Sequence, residues 1–168
     1  MKVAIIGAGN MGGSIACGLA KGKLIPASDI IVSNPSIGKL EALKKEFPSI
    51  AITRNNAEAA TGADIVILAV KPWLIRGVLR EMKLRSKQIL VSVAAGISFE
   101  QLAHDVVEPE MPMFRIVPNT AISELQSMTL IASRNAGQEL EALMVNLFIE
   151  MGMAMILPED KLEAATAL

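Results

Sequence analysis

The sequence has no tyrosine, one cysteine and one histidine among its 168 residues. One cysteine excludes an intramolecular disulfide, and one cysteine with one histidine excludes a structural zinc site of the usual kind, so no metal is expected. The missing tyrosine and the lone histidine also remove the commonest side-chain acids and bases. Chemistry carried by this chain must come from a bound cofactor, from lysines and carboxylates, or from residues outside it. No sign of charge dominates: 16 basic residues stand against 17 acidic ones, a formal net charge of −1. That balance leaves no broad electrostatic footprint for nucleic acid or an anionic membrane. No stretch approaches about 18 uninterrupted apolar residues, so no membrane span is expected. The apolar start of the chain is too short for a signal peptide and is interrupted at once by Gly, Asn and Ser. These absences lead to the expectation of a soluble, cytoplasmic protein. Against them stand 52% apolar and 20% charged residues, the composition of a folded domain rather than a disordered chain. The length suits one domain, or one domain and the start of another, and a chain of this size buries roughly 70% of its unfolded surface without staples.

Apolar runs of strand length alternate with segments of helical period. Strands are expected at Val3–Ile6, 30–32, 50–52, 64–70, 89–93, 114–117, 128–132 and 153–157. Helices are expected at Asn10–Lys21, 39–47, Asn56–Ala60, 72–82, 99–104 and 139–151, with Pro72 at a first helical position where its missing N–H is harmless. This rhythm predicts an α/β fold, a doubly wound and mostly parallel sheet with helices on both faces. Pro158, Glu159 and Asp160 open a last helix, with acids at its positive end. Its apolar stripe of Leu162, Ala165 and Leu168 stops without a cap. A helix that stops in mid-pattern leads to the expectation of a truncated polypeptide, with one domain over 1–157 and 158–168 starting a further helix. A frayed terminal helix packed on its own domain is the alternative.

The residues Gly7, Ala8, Gly9, Asn10, Met11 and Gly12 spell G-x-G-x-x-G directly after a buried strand and at the opening of a helix, the context that makes this motif informative. Gly7 permits the tight turn, Gly9 lets backbone approach a pyrophosphate, and Gly12 lets the helix pack on the sheet. The helix N-terminus supplies free N–H groups and a partial positive charge for the phosphates. A Rossmann-type dinucleotide site follows. At the end of the second strand, where NAD-preferring sites place a carboxylate, the residues are Ser33, Asn34, Pro35 and Ser36. Without a carboxylate to repel a 2′-phosphate, NADPH is expected over NADH, with Lys39 one helical turn on as a source of charge. Ser36 is also suited to cap the following helix. Ala69, Val70, Lys71 and Pro72 end the fourth strand, where Lys71 reads equally as a cofactor-facing or a solvated residue. Val93, Ala94, Ala95 and Gly96 end the next, their small size letting a flat nicotinamide lie against backbone. Asn119, between Pro118 and Thr120, offers an amide to a carboxamide or substrate.

Together these segments resemble the N-terminal domain of the pyrroline-5-carboxylate reductases. The resemblance is carried by GAGNMG (7–12), SNPS (33–36), Asn56 before a short helix, AVKP (69–72), SVAAGI (92–97), PNT (118–120) and AATAL (164–168), in consistent order along nearly the whole chain. It implies that residues 7–12 hold the pyrophosphate, and that Ser33, Asn34 and Ser36 surround the adenosine phosphate. Asn56 would lie on the adenosine side, and the Ala69–Val70–Lys71–Pro72 and Ala94–Ala95–Gly96 turns would line the nicotinamide half. The implied activity is NADPH-dependent reduction of the cyclic imine 1-pyrroline-5-carboxylate to L-proline, with no catalytic side chain assigned here. Two departures stand out: Ala121-Ile122 follows PNT where the family usually has Pro-Ala, and the family continues past ATAL-like residues into a helical C-terminal domain that supplies substrate contacts, a hydroxyl near the imine nitrogen and the homo-oligomer interface. The resemblance thus implies a dinucleotide-binding domain over 1–157, with 158–168 starting an interdomain helix towards a helical C-terminal domain expected to be absent from these 168 residues. The chain alone is therefore expected to bind NADPH and turn over poorly. A β-hydroxyacid dehydrogenase-like reductase and a stand-alone NADP-binding module are the other readings.

Among the remaining residues, Cys17 reads as a small packed side chain and His104 as a charge at a helix C-terminus. Trp73 is suited either to wall the cofactor cleft or to packing. Met151, Met153 and Met155 read as core or interface filler, and Lys44, Lys45 and Glu46 as a solvated face.

Overall fold

A computed structural model describes residues 1–166 of the chain. Val3–Ile6 (β1) is buried at all four positions and takes a strand on each side. Ile30–Ser33 (β2) pairs with it in parallel through Val3↔Ile30 to Ile6↔Ser33, and Ala51–Thr53 (β3) pairs outside β2. On the other side lies Ile65–Leu68 (β4), through Val3↔Ile65 to Ile6↔Leu68. Beyond it come Ile89–Ser92 (β5), Met113–Val117 (β6), Ser127–Arg134 (β7) and Gly152–Ile156 (β8), in the order β3-β2-β1-β4-β5-β6-β7-β8. The first two connections run one way from β1 and the third runs the other. The strand order therefore reverses between β1 and β4, where doubly wound sheets bind ligands beyond the strands' carboxyl ends.

Alternation along the strands divides the core into two layers. Val3 and Ile5 face Asn10–Lys21 (α1), Ile37–Glu46 (α2) and Gly137–Ile149 (α6), through Ile15, Leu19, Leu40, Leu43, Met144, Leu147 and Phe148. Ala4 and Ile6 face Asn56–Ala60 (α3), Ile75–Met82 (α4), Phe99–Asp105 (α5) and Glu159–Thr166 (α7), through Ala59, Ile75, Leu79, Phe99 and Leu162. All pairs are parallel except β6 with β7. That exception follows from the link: residues 118–126 carry only the 3-10 turn Thr120–Glu124, too little for the crossover a parallel pair needs. Helix α6 provides such a crossover, and β7 and β8 are parallel.

Most expected elements stand within two residues of their predicted ends. The 72–82 helix is divided: Pro72–Leu74 is a 3-10 turn, with Pro72 at its start, and only Ile75–Met82 is α-helical. Helix α2 begins two residues early, and its N-cap Ser36 makes no side-chain capping bond. Of the three methionines, Met151 is fully buried, while Met153 is 69% exposed and Met155 is also exposed on the edge strand β8. Helix α7 starts as the acidic Pro-Glu-Asp pattern predicts and buries Leu162, whereas Leu168 lies outside the described residues. Among the described residues no helix is long and apolar enough to cross a membrane.

Candidate functional site

Because β1, β2, β4, β5 and β6 are parallel, their carboxyl ends share one edge of the sheet, and the turns singled out in the sequence gather there. Gly7 leaves β1 at φ +105, a conformation that favours glycine, and its N–H donates to the Ser33 carbonyl at 2.8 Å. Gly9 is the N-cap of α1. No side chain caps this helix end, and no acid occupies the first turn. Its N–H groups are thus open to an anion from outside. A Cβ built on Gly9 meets nothing within 4 Å, so that side of the turn is empty space. A Cβ on Gly12 would overlap the Gly7 carbonyl oxygen and come within 3.1 Å of Ala69 Cβ. Gly12 is therefore required by packing and Gly9 is not, which leaves the closest approach for a ligand at Gly9. These residues fit a pyrophosphate.

The loop after β2 is fastened to this turn by Asn34. Its Oδ1 accepts from Ala8 N–H at 3.0 Å, its Nδ2 donates to the Ser36 carbonyl at 3.1 Å, and its own N–H donates to Thr53 O at 3.2 Å. Ser33 is fully buried, and its hydroxyl donates to Asn56 Oδ1 at 2.7 Å. Asn56 Nδ2 in turn lies 3.4 Å from Glu81 Oε2. Ser33, Asn34 and Asn56 thus build the loop from within, and Ser36 is exposed at its tip. Lys39 lines a groove between α1 and α2, together with Gly9, Asn10 and Lys21.

Along the other half of the edge, Ala69 and Val70 are half-buried behind β4, while Lys71 is exposed and N-caps the 3-10 turn. Ala94, Ala95 and Gly96 line a small pocket together with Arg115, Ile116, Val117 and Leu162. Asn119 caps the Thr120–Glu124 turn by accepting from Ala121 N–H at 3.0 Å, and its N–H donates to Ser127 Oγ at 3.3 Å. Trp73 is 77% exposed, which removes the packing alternative; it borders a groove with Arg76, Gln101 and His104. Cys17 is half-buried, and burial followed by the neighbouring Glu46 pushes its thiol above its ordinary pKa, in keeping with a packed residue rather than a reactive one. His104 sits in the last turn of α5, its Nδ1 3.1 Å from Asp105 Oδ1.

Two arginines escape a reading by motif. Arg115 lies inside an apolar strand run, is only 5% exposed, and binds Glu159 Oε1 through Nη1 at 2.8 Å and Glu163 Oε1 through Nη2 at 3.5 Å. Glu159 also accepts from Phe99 N–H at 2.8 Å, tying α5, β6 and α7 together. The available signal was a charge in a buried strand and two acids four residues apart. Arg54 follows β3, and its Nε donates to the Pro35 carbonyl at 2.9 Å.

A parallel sheet reversing beside a glycine turn that opens a helix defines a Rossmann-type dinucleotide-binding domain. The chain belongs to the family described as NADP oxidoreductase, coenzyme F420-dependent, which matches residues 2–96. Along its whole length it is similar to pyrroline-5-carboxylate reductases. It is 33% identical over 180 residues to pyrroline-5-carboxylate reductase 1 of Dictyostelium discoideum, covering 99% of this chain and 32% of that protein. It is 32% identical over 171 residues to pyrroline-5-carboxylate reductase 3 of Danio rerio, covering 100% of this chain and 58% of that one. Among solved structures, the Plasmodium falciparum pyrroline carboxylate reductase with NADP bound superposes at a TM-score of 0.88 with 25% identity, over 99% of this chain and 61% of that one. The chain thus spans between about a third and three fifths of the length of these relatives.

Proposed function

We propose that this chain is the NADPH-holding half of a cytoplasmic enzyme that reduces 1-pyrroline-5-carboxylate to L-proline. The observation that carries this reading is the uncapped N-terminus of α1 behind Gly9, set beside a β2 loop without a carboxylate. The pyrroline-5-carboxylate reductases to which the chain is similar support the substrate. When bound, NADPH supplies the hydride that the C=N carbon of the imine accepts.

The chain's own residues do the holding. The N–H groups at the start of α1, reached past Gly9, bind the pyrophosphate. Ser33, Asn34 and Asn56 keep the adenosine loop in register with Gly7 and Ala8 through the bonds described above, and Ser36 offers a hydroxyl at its tip. Ala69, Val70, Lys71 and Pro72 follow β4 beside the Gly7 turn, at the centre of the sheet's carboxyl edge. Ala94, Ala95 and Gly96 leave backbone open to a flat ring, and the Asn119 side-chain Nδ2, without a partner among the described residues, is free to donate to a carboxamide or substrate. Holding the reacting carbons in one orientation is the main contribution this half makes to the rate.

In this proposal residues 1–157 are the cofactor domain and 158–168 begin the helix towards a substrate half, through which a homo-oligomer assembles. The test is to titrate the purified 168-residue chain with NADPH, following nicotinamide fluorescence, and then to add the imine. Saturable NADPH binding with little or no proline formation is expected. Failure to bind NADPH, or proline formation at the rate of a full-length relative, would refute this division of labour.

A further inference from the structure

The pairing register Ser33↔Thr53 sets the residue after β3 beside the turn after β2. That residue is Arg54, and the register explains a contact between positions 19 apart in the sequence: Nε of Arg54 donates to the Pro35 carbonyl at 2.9 Å. One nitrogen of the guanidinium is therefore tied to the adenosine loop. The other two have no partner among the described residues, and no carboxylate pairs with this arginine there. Two acids bonded to residues of this segment are engaged by neutral donors, Glu58 by the Thr53 hydroxyl at 2.7 Å and Glu81 by Asn56 at 3.4 Å.

A 2′-phosphate at this loop needs positive charge and several donors. The loop itself has few to give. The Ser33 hydroxyl is committed to Asn56, and the Asn34 amide to Ser36 O. Only the Ser36 hydroxyl, at the exposed tip, is unengaged among the described residues. Lys39, the charge suggested by its place one turn into α2, lines the groove beside Gly9 and Asn10 instead. Arg54 supplies what the loop lacks: a permanent charge and a fork of N–H donors, anchored at one end so that little freedom is lost when the other end binds.

We infer that Arg54 is the specificity-determining residue for the cofactor, its guanidinium taking the 2′-phosphate of the adenosine ribose and so separating NADPH from NADH. This rests on the cofactor reading above and adds the residue responsible. The experiment measures Kd for NADPH and for NADH by titration calorimetry on the parent chain and on Arg54→Gln, Arg54→Lys and Ser36→Ala. Arg54→Gln should weaken NADPH binding by about 10- to 100-fold, the range of a charge-assisted contact, and change NADH binding by less than about 2-fold. Arg54→Lys should recover part of the loss, because charge returns without the fork. Ser36→Ala should lower NADPH affinity less than Arg54→Gln does. Raising the salt concentration should erode the NADPH advantage of the parent more than that of Arg54→Gln. Equal losses for both cofactors in Arg54→Gln would overturn the inference, since they would mean that the contact with Pro35 only holds the loop. An unchanged NADPH/NADH ratio would overturn it as well. A parent chain that binds NADH and NADPH equally sinks the inference alone, whereas one that binds neither sinks the cofactor reading with it.

Discussion

Gly9 and Gly12 belong to one motif, yet the structure makes opposite demands on them, and that separates a binding role from a structural one. Gly9 has φ −69 and ψ −166, a backbone any residue adopts, and a Cβ there meets nothing within 4 Å. Two small effects on stability oppose each other in Gly9→Ala. Restricting the unfolded chain stabilises by about 0.4–1 kcal/mol, while alanine at an N-cap is poorer than glycine by roughly 0.5–1 kcal/mol. The net change is near zero, which for a chain of this length keeps Tm within about 3 °C. In the proposed binding mode the same methyl group stands where a pyrophosphate approaches the amides of α1. Losing two hydrogen bonds to a charged group, each worth about 1.5–3 kcal/mol, predicts an NADPH affinity lower by at least about 100-fold. In Gly12→Ala the added atom overlaps the Gly7 carbonyl oxygen, a backbone atom that cannot swing aside. Overpacking of this kind costs about 1–3 kcal/mol, so Tm should fall by roughly 2–12 °C. Thermal unfolding and NADPH titration on both variants decide the matter. Parent-like affinity in Gly9→Ala, or a loss of Tm equal to that of Gly12→Ala, would refute the assignment of the open side of the turn to a ligand.

The clamp on α7 should respond asymmetrically. Glu159→Ala leaves Arg115 buried with only Glu163 at 3.5 Å and should cost about 3 kcal/mol, whereas Arg115→Met removes the buried cation and leaves a part-exposed Glu159 to water, costing less; urea denaturation midpoints test the order. Asn34→Ala deprives the buried Ala8 N–H of its acceptor and should lower stability by about 1–3 kcal/mol while weakening both NADPH and NADH, measured by unfolding and calorimetry. Burial and Glu46 raise the Cys17 pKa, so the native thiol keeps its proton at pH values where an unfolded thiol has begun to ionise. Its reaction with a disulfide reagent at pH 8 should be slower than that of free cysteine. Because the folded state holds this proton longer, the linked stability falls as pH rises past the ordinary thiol range.

The parts of the molecule legible in the sequence are those written in local pattern. The β1 run, the glycine turn and α1 stand at their expected ends because each is specified by neighbours: four apolar residues, a break, then a helical period. The 72–82 segment divides because Pro72 begins a short 3-10 turn before α4, a distinction that helical periodicity does not carry. In the sequence Trp73 reads equally as cleft wall or packing and Met153 as core or interface filler, and only their positions in a turn and an edge strand show both to be exposed. The two arginines are the sharper case. In a strand pattern Arg115 is a single interruption of an apolar run, and its meaning lies in Glu159 and Glu163 more than forty residues on. Arg54 carries no pattern at all, because its partner is a backbone carbonyl reached through the register of β2 with β3. In the proposed binding mode the motif marks where a dinucleotide is held, since backbone geometry holds phosphates and backbone geometry has a local signature. On the assignment proposed for Arg54, which dinucleotide binds falls to a side chain that follows a third strand, and the pairing of β2 with β3 puts that side chain beside the loop.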